Sequence, residues 1–292
     1  MARLVSLIGC PHDPTLPIAA RMAEDGKANP GAIPALESFA ALRESFAAAE
    51  PDAIVMVGSD HLNQWFFDNM APFMIGKAAR LRGPFDGEVN AWGLQRSDRP
   101  VEGDLARHLL RDGLGRGVDF AFSDAFTADH SFTIPLDFLS PRDDIPVVPV
   151  FINLLAPPVP PGWRYRQVGE VLRKSIESFD EARRVAMIVT GHMTNSVGGP
   201  GMLRNQSEPE TEWDRETWSL IEANDIDAVT RRATWDQLYA QGNGTPGFLA
   251  YVLAFGAACG APADFARLVA TTAQPACAFL GWSETSLNGG TA

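Results

Sequence analysis

The architecture of this chain follows from one segment, Asp52-Ala-Ile-Val-Met-Val-Gly-Ser-Asp-His61, in which an apolar run gives way to polar residues. A short, uninterrupted apolar run bounded by turn residues is typical of a strand buried on both faces. Apolar residues at helical spacing precede it between Pro34 and Glu50. The sequence therefore predicts a helix followed by a buried strand, which is the alternation of a parallel α/β sheet.

The same pattern occurs twice more in the chain. The apolar run Val5–Gly9 leads into His12, and the run Val185–Val189 leads into His192. Three of the five histidines thus directly follow a predicted buried strand. One histidine in such a place is usually structural, but ligands of parallel sheets gather beyond the carboxyl ends of the strands. We therefore expect His12, His61 and His192 to meet in a metal or acid–base site.

The rest of the chain fits a single α/β domain over residues 1–292, because it shows no internal repeat and no break in composition. We predict a mostly parallel central sheet flanked by helices, with the site at the carboxyl ends of the strands. Leu81–Pro100 has mixed polarity with glycines and prolines, and it is predicted to be irregular. Further strands and helices are predicted in Ala71–Gly76, Val101–Arg111, Asp119–Phe122, Ile145–Ile152, Trp163–Phe179 and Phe248–Ala258.

Composition limits the classes of partner and the compartment. Of the 292 residues 46% are hydrophobic, and the net charge of −12 argues against nucleic acid or an anionic membrane as a partner. No apolar run approaches the ~18 residues of a membrane span, and the N-terminus lacks the layout of a signal peptide. The three cysteines are not closely spaced, which fits a reducing cytoplasm. We expect a cytoplasmic protein.

A glycine-rich loop, Gln241-Gly-Asn-Gly-Thr-Pro-Gly247, enters the apolar helix Phe248–Ala258. It contains Gly-x-Gly-x-x-Gly, but no strand directly precedes it. The motif alone is weak evidence, and without the preceding strand it does not predict a dinucleotide site.

Several short motifs in a fixed order resemble those of a known family. This chain is similar to the class III extradiol ring-cleaving dioxygenases, the catalytic-subunit family that includes protocatechuate 4,5-dioxygenase. The resemblance covers nearly the whole chain, and the order and spacing of the motifs are together fairly specific. The motifs are Gly9-Cys-Pro-His12, Gly58-Ser-Asp-His61, Pro72–Gly76, Asp129-His130-Ser131 and Gly191–Pro200.

The resemblance implies a non-haem Fe(II) held by two histidines and one glutamate, which binds a catechol-type substrate beside O2. His12 and His61 match the two histidine ligands, and neutral imidazole suits Fe(II). His130 matches a histidine that lines the substrate pocket of the family. Asp13 and Asp60 are candidate hydrogen-bond partners of the imidazoles. The implied partners are a small aromatic substrate and O2, with assembly as a homo-oligomer or with a homologous or small subunit.

Two positions depart from the family pattern. The glutamate ligand falls at Gly247, or at Pro246 if the loop shifts by one residue, and neither can bind a metal. The acid–base histidine of the family falls at Asn195, three residues after His192. An amide can donate and accept hydrogen bonds but cannot carry a proton near pH 7. We therefore take His192, His130 and Asn195 as the catalytic candidates.

These departures leave three interpretations open. In the first, His192 supplies the missing base or a third ligand of a divergent Fe(II) dioxygenase. In the second, water or a substrate atom fills the carboxylate position. In the third, the chain is a non-catalytic subunit that pairs with an active one. A metal-dependent hydrolase fits less well, because such enzymes usually cluster carboxylates around the metal. We also predict that no nearby glutamate replaces the missing ligand by simple realignment, including those of Glu208–Glu216.

Overall fold

The computed structural model describes residues 1–198, 211–271 and 273–289. These residues form ten strands and eleven α-helices. The strands are β1 (Arg3–Cys10), β2 (Ala53–Gly58), β3 (Phe73–Gly76), β4 (Arg80–Gly83), β5 (Ser97–Pro100), β6 (Ala121–Ser123), β7 (Val147–Ile152), β8 (Arg184–Thr190), β9 (Phe265–Val269) and β10 (Cys277–Ser283). The helices are α1 (Thr15–Glu24), α2 (Ile33–Ala48), α3 (Asp86–Trp92), α4 (Gly103–Gly115), α5 (His130–Leu139), α6 (Gly162–Glu177), α7 (Glu212–Glu222), α8 (Ile226–Arg232), α9 (Trp235–Gln241), α10 (Phe248–Ala258) and α11 (Glu284–Gly289).

An eight-stranded sheet in the order β6-β3-β7-β2-β8-β1-β10-β9 forms the centre of the fold. The neighbours β7, β2, β8 and β1 run parallel to one another. Strands β10 and β9 continue the sheet antiparallel beside β1, and β3 is antiparallel to β7. The predicted α/β class with a mostly parallel central sheet is confirmed. The three histidine-bearing strands β2, β8 and β1 are immediate neighbours with the same direction.

The apolar runs are uninterrupted because helices cover both faces of the sheet. In β2, the side chains of Val55 and Val57 join one hydrophobic core, whereas those of Ile54 and Met56 join the other. Successive strand residues point to opposite faces, so each face needs its own apolar set. Helices α4, α6 and α10 pack on the first face, and α1, α2 and α5 on the second. Among the described helices, none is both long enough and apolar enough to cross a membrane.

Helices α6 and α10 cross at very close range. A Cβ atom at Gly169 would lie 2.0 Å from the carbonyl oxygen of Leu253, and one at Gly256 would lie 2.0 Å from that of Arg166. Glycine is required on both sides of this crossing, since any side chain would collide with backbone. The crossing holds α10 so that its N-terminal end meets the carboxyl end of β8, where a Cβ at Gly191 would lie 2.5 Å from the oxygen of Gly247.

The prediction that Leu81–Pro100 is irregular is wrong. Strands β4 and β5 form an antiparallel hairpin, and α3 lies between them; we call Arg80–Pro100 the β4–α3–β5 unit. Its elements are short and polar, and ion pairs from Arg80 and Arg82 to Asp98 link the two strands. Local pairing of charges therefore replaces the apolar periodicity that sequence patterns detect. Buried Arg99 binds the carbonyl of Ser140 and so fastens the unit to the end of α5.

Candidate metal centre

Four histidines meet beyond the carboxyl ends of the sheet. His12, His61 and His192 follow β1, β2 and β8, and His130 is the first residue of α5. The ring centroid of His12 lies 5.2 Å from that of His61 and 4.2 Å from that of His192. The rings of His61 and His130 are 4.1 Å apart. The predicted convergence of these side chains is confirmed, and the parallel arrangement of three adjacent strands explains it.

Three of these histidines can share one ion. A ring nitrogen from each of His12, His61 and His130 lies within 4.8 Å of the other two. Two donors that each bind one ion at about 2.0–2.1 Å lie at most roughly 4.2 Å apart, so nitrogens within 4.8 Å need only small side-chain shifts to share it. Within residues 1–198, 211–271 and 273–289, His192 is not part of any such set of three. The structure therefore groups His130, rather than His192, with the two predicted ligands.

The surroundings of His12 are those of a metal ligand. Its side chain is 1% exposed, yet both ring nitrogens are without a hydrogen-bond partner. Buried nitrogen atoms normally have a hydrogen-bond partner. A buried imidazole without one, surrounded by other imidazoles, is suited to bind a metal cation. Burial lowers the pKa of His12 well below its usual value, and His192, His61 and His130 lower it further. The ring is therefore neutral at pH 7 and has a lone pair available for a cation.

Asp129 fixes the orientation of His61. It is fully buried at the N-cap of α5, and its Oδ2 accepts hydrogen bonds from Nδ1 and from the backbone nitrogen of His61, both at 2.8 Å. A carboxylate only accepts, so Nδ1 carries a proton and, in the neutral ring, Nε2 keeps the lone pair. Burial lowers the pKa of His61, but the charge and hydrogen bond of Asp129 outweigh it and leave the pKa raised.

Glu88 holds His130 in the same way. Its Oε1 accepts hydrogen bonds from Nδ1 of His130 at 2.6 Å and from the backbone nitrogen of that residue at 3.2 Å. The carboxylate is 5% exposed, and its other oxygen accepts from the backbone nitrogen of Phe85. The ring of Trp92, on the same helix, lies 5.0 Å from that of His130. The β4–α3–β5 unit thus contributes directly to the site.

Sequence reasoning missed both carboxylates as partners of the histidines. It proposed Asp13 and Asp60 for this purpose, and that prediction is wrong. Asp13 accepts hydrogen bonds from Thr15 and Thr271, and Asp60 accepts from the backbone nitrogens of residues 63–65. They shape the loops that carry His12 and His61. The one local signal was Asp129 itself, which precedes a helix as an N-cap residue does.

His192 occupies the space beside Gly247. A Cβ atom at Gly247 would lie 2.8 Å from Cδ2 and 3.2 Å from Cβ of His192. His192 is 7% exposed, and its Nδ1 has no partner. Burial, with smaller contributions from His61 and His130, lowers its pKa to about 3. A hydrogen bond with Gln274, a residue that sequence reasoning did not select, opposes that shift. At pH 7 this imidazole is neutral.

Asn195 lies farther along the same loop. Its backbone nitrogen donates to the hydroxyl of Thr245, and a Cβ at Gly244 would lie 2.8 Å from its Nδ2. The glycine-rich segment 241–258 contains no carboxylate. Glu216 is paired with Arg232, while Glu208, Glu210 and the motif residues Gly199 and Pro200 lie outside the described residues.

Comparison with known proteins identifies the family. The sequence profile of the catalytic LigB subunit of aromatic ring-opening dioxygenases matches residues 7–276. The chain belongs to the LigB family. The resemblance found in the sequence is therefore confirmed, and the protein is a homologue of aromatic ring-opening dioxygenases. In the part of the chain that the structure describes, two groups of side chains could hold a metal ion: His12, His61 and His130, and Glu88, Asp129 and His130.

Curated relatives of LigB type come from several strains of Escherichia coli. The 2,3-dihydroxyphenylpropionate/2,3-dihydroxicinnamic acid 1,2-dioxygenases of strain K12 and of O157:H7 strain EC4115 are each 32% identical over 167 residues. The match covers 57% of this chain and 50% of each relative, so the chain spans about half the length of the curated relatives it matches. Uncharacterized protein JW3007 from E. coli K12 shares the fold, with a TM-score of 0.58, 16% identity and coverage of 95% of this chain and 99% of that one.

Proposed function

We propose that this LigB homologue is an Fe(II)-dependent extradiol dioxygenase that opens a catechol-type ring with O2. One observation carries the proposal: buried His12, whose two ring nitrogens have no hydrogen-bond partner, and His61, whose Nδ1 is bound to Asp129, bring ring nitrogens within 4.8 Å of each other beyond the parallel strands. Imidazole is a preferred ligand of Fe(II). When bound, Fe(II) would supply a redox centre at which an aromatic diol and O2 are brought together.

The protein side chains divide the remaining work. His12 and His61 hold the iron, and Asp129 keeps the Nε2 lone pair of His61 directed away from the carboxylate. We assign to His192 the acceptance of a proton from a substrate hydroxyl, because its Nδ1 has no hydrogen-bond partner. Burial keeps the pKa of the free imidazole far below the working pH, so as a base it is weaker than an exposed histidine. The amide of Asn195 orients the substrate by hydrogen bonding.

The substrate class is supported by the relatives. Their names describe dioxygenases acting on 2,3-dihydroxyphenylpropionate and 2,3-dihydroxicinnamic acid, which are aromatic rings with adjacent hydroxyls. We propose a diol of this kind for the present chain.

A second function is favoured by the two departures from the family pattern. Gly247 and Asn195 stand where the family has its glutamate ligand and its acid–base histidine. A chain that has lost both groups would be suited to act as a non-catalytic subunit that pairs with an active dioxygenase. It would bind an aromatic diol without consuming O2.

The test is anaerobic loading with Fe(II), followed by metal counting and O2 uptake. The substrate panel comprises catechol, protocatechuate and 2,3-dihydroxyphenylpropionate. We expect one iron per chain and one O2 consumed per ring opened, followed by the absorbance of the ring-opened product. His12→Ala should weaken iron binding strongly, since it removes one of the imidazoles that hold the ion. His108→Gln is the matched control, because that ring is bonded to Ser175 and Ser178 outside the cluster.

The outcomes separate the two functions. Iron binding with O2 uptake supports the dioxygenase. Iron or diol binding without O2 uptake on the whole panel supports the non-catalytic subunit. A wild-type protein that binds no iron under these conditions overturns the proposed metal site.

A further inference from the structure

We propose that His130 is the third protein ligand of the metal, so that three imidazoles hold the ion in place of two histidines and a carboxylate. This inference rests on the metal site of the proposed function and adds the identity of the missing ligand. It assigns His130 to the metal rather than to the wall of the substrate pocket.

His130 lies close to both predicted ligands. A ring nitrogen of His130 lies within 4.8 Å of one from His12 and one from His61, so it is placed as the two predicted ligands are. The ring of His130 is 4.1 Å from that of His61 and 5.5 Å from that of His12. His192 lies closer to His12, at 4.2 Å between centroids, but no such set of three includes it among the described residues.

His130 and His61 also have the same kind of support behind the ring. His61 and His130 each give Nδ1 to a buried carboxylate, Asp129 in one case and Glu88 in the other. Both pairings leave Nε2 as the nitrogen with a free lone pair. A carboxylate behind the imidazole fixes the orientation and tautomer of the ring, and this arrangement is typical of histidines that bind metals. The two rings have the same hydrogen-bond support, so we assign both to the metal.

Two carboxylates, Glu88 and Asp129, also lie near the cluster. Atoms of Glu88, Asp129 and His130 also lie within 4.8 Å of one another. However, both oxygens of Glu88 accept N–H donors, from His130 and Asn63 on one side and from Phe85 on the other. Both oxygens of Asp129 likewise accept, from His61 and Ser131. These bonds turn both carboxylates toward N–H donors, the Nδ1 atoms of His61 and His130 among them, so we place the carboxylates behind the ligands.

Glu88 is therefore a positioning residue, which acts on the metal through His130. It is delivered by α3, and its bond to the backbone nitrogen of Phe85 ties it to the start of that helix. The β4–α3–β5 unit thus completes the site: without Glu88 in place, Nδ1 of His130 loses its acceptor and the ring loses its fixed orientation.

The test uses Co(II) as the probe. X-ray absorption of the wild-type Co(II) protein should count three imidazoles, and His130→Gln should show two. We expect His130→Gln to weaken Co(II) binding by roughly a hundredfold or more, and Glu88→Gln by about 10–100-fold, as for loss of a partner behind a ligand. His192→Gln should keep three imidazoles. Asp86→Asn, on the same helix and with a side chain 82% exposed, is the matched control and should bind Co(II) as the wild type does.

Each result decides one claim. Two imidazoles in the wild-type spectrum, or unchanged Co(II) affinity in both His130→Gln and Glu88→Gln, overturns the third ligand and leaves the proposed function standing. Failure of the wild type to bind Co(II) or Fe(II) overturns the proposed function itself. Circular dichroism of the metal-free variants verifies folding. The number of imidazoles in the wild-type spectrum tests the proposal even if a variant does not fold.

Discussion

His192 combines a neutral imidazole at pH 7, an unpartnered Nδ1 and a position outside the three-histidine set. If it accepts the substrate proton, His192→Gln should lower the ring-opening rate by roughly 10²-fold or more, which is the low end of general acid–base contributions. Iron content should stay unchanged. Steady-state O2 uptake and iron analysis on the same sample provide the measurement. Loss of iron would instead make His192 a ligand, and a near-wild-type rate would remove it from the mechanism.

The sequence predicted the histidines of the site but not the carboxylates that bond to them. A strand-end position is a local property, so His12, His61 and His192 were found from short apolar runs. The bonds to Asp129 and Glu88 span 68 and 42 residues, and no local pattern encodes such distances. Asp13 and Asp60 were wrong choices because each is bonded within its own surroundings, Asp13 to Thr15 and Thr271 and Asp60 to the backbone of residues 63–65.

Among the elements, the crossing of α6 and α10 gives a sharp prediction. Gly256→Ala should destabilise the protein by about 1–3 kcal/mol or more, because the new methyl group would meet the backbone of Arg166. Chemical denaturation measures the loss. Gly115→Ala is the matched control: a Cβ there meets nothing within 4 Å, so it should be neutral or stabilise α4 by up to roughly 1 kcal/mol. Equal stability of the two variants would contradict the tight crossing.

The elements themselves were predictable where burial is continuous. β2, β8 and α10 match the apolar runs that predicted them to within one residue at each end. The β4–α3–β5 unit escaped prediction because its hairpin is stabilised by ion pairs and by docking of Arg99, rather than by an apolar face. The contacts of Arg99 with residues 140–143 exist only once the rest of the fold has formed.

For the molecule as a whole, Asp137 links stability to pH. Burial raises its pKa to about 7, although Arg99 opposes the shift; Asp143 adds to it. Between about pH 4 and 7 the folded protein therefore keeps a proton that the unfolded chain releases. The stability due to this group falls as the pH rises through that window.

Asp137→Asn should therefore reduce the loss of stability between pH 5 and pH 8, measured as the shift of the urea midpoint. Asp144→Asn, whose side chain is 60% exposed, serves as the control and should keep the wild-type pH dependence. An identical shift in the wild type and in Asp137→Asn would show that this carboxyl does not titrate differently on folding.

The contact between His192 and Gly247 has a consequence for how such a site changes over evolutionary time. Any side chain at position 247 would start 2.8 Å from the imidazole of His192. A side chain introduced at position 247, glutamate included, therefore meets an occupied volume, and the ring of His192 must shift or be replaced for it to fit. Substitutions at the two positions are thus coupled, because the residue that position 247 accepts depends on the residue that stands at position 192.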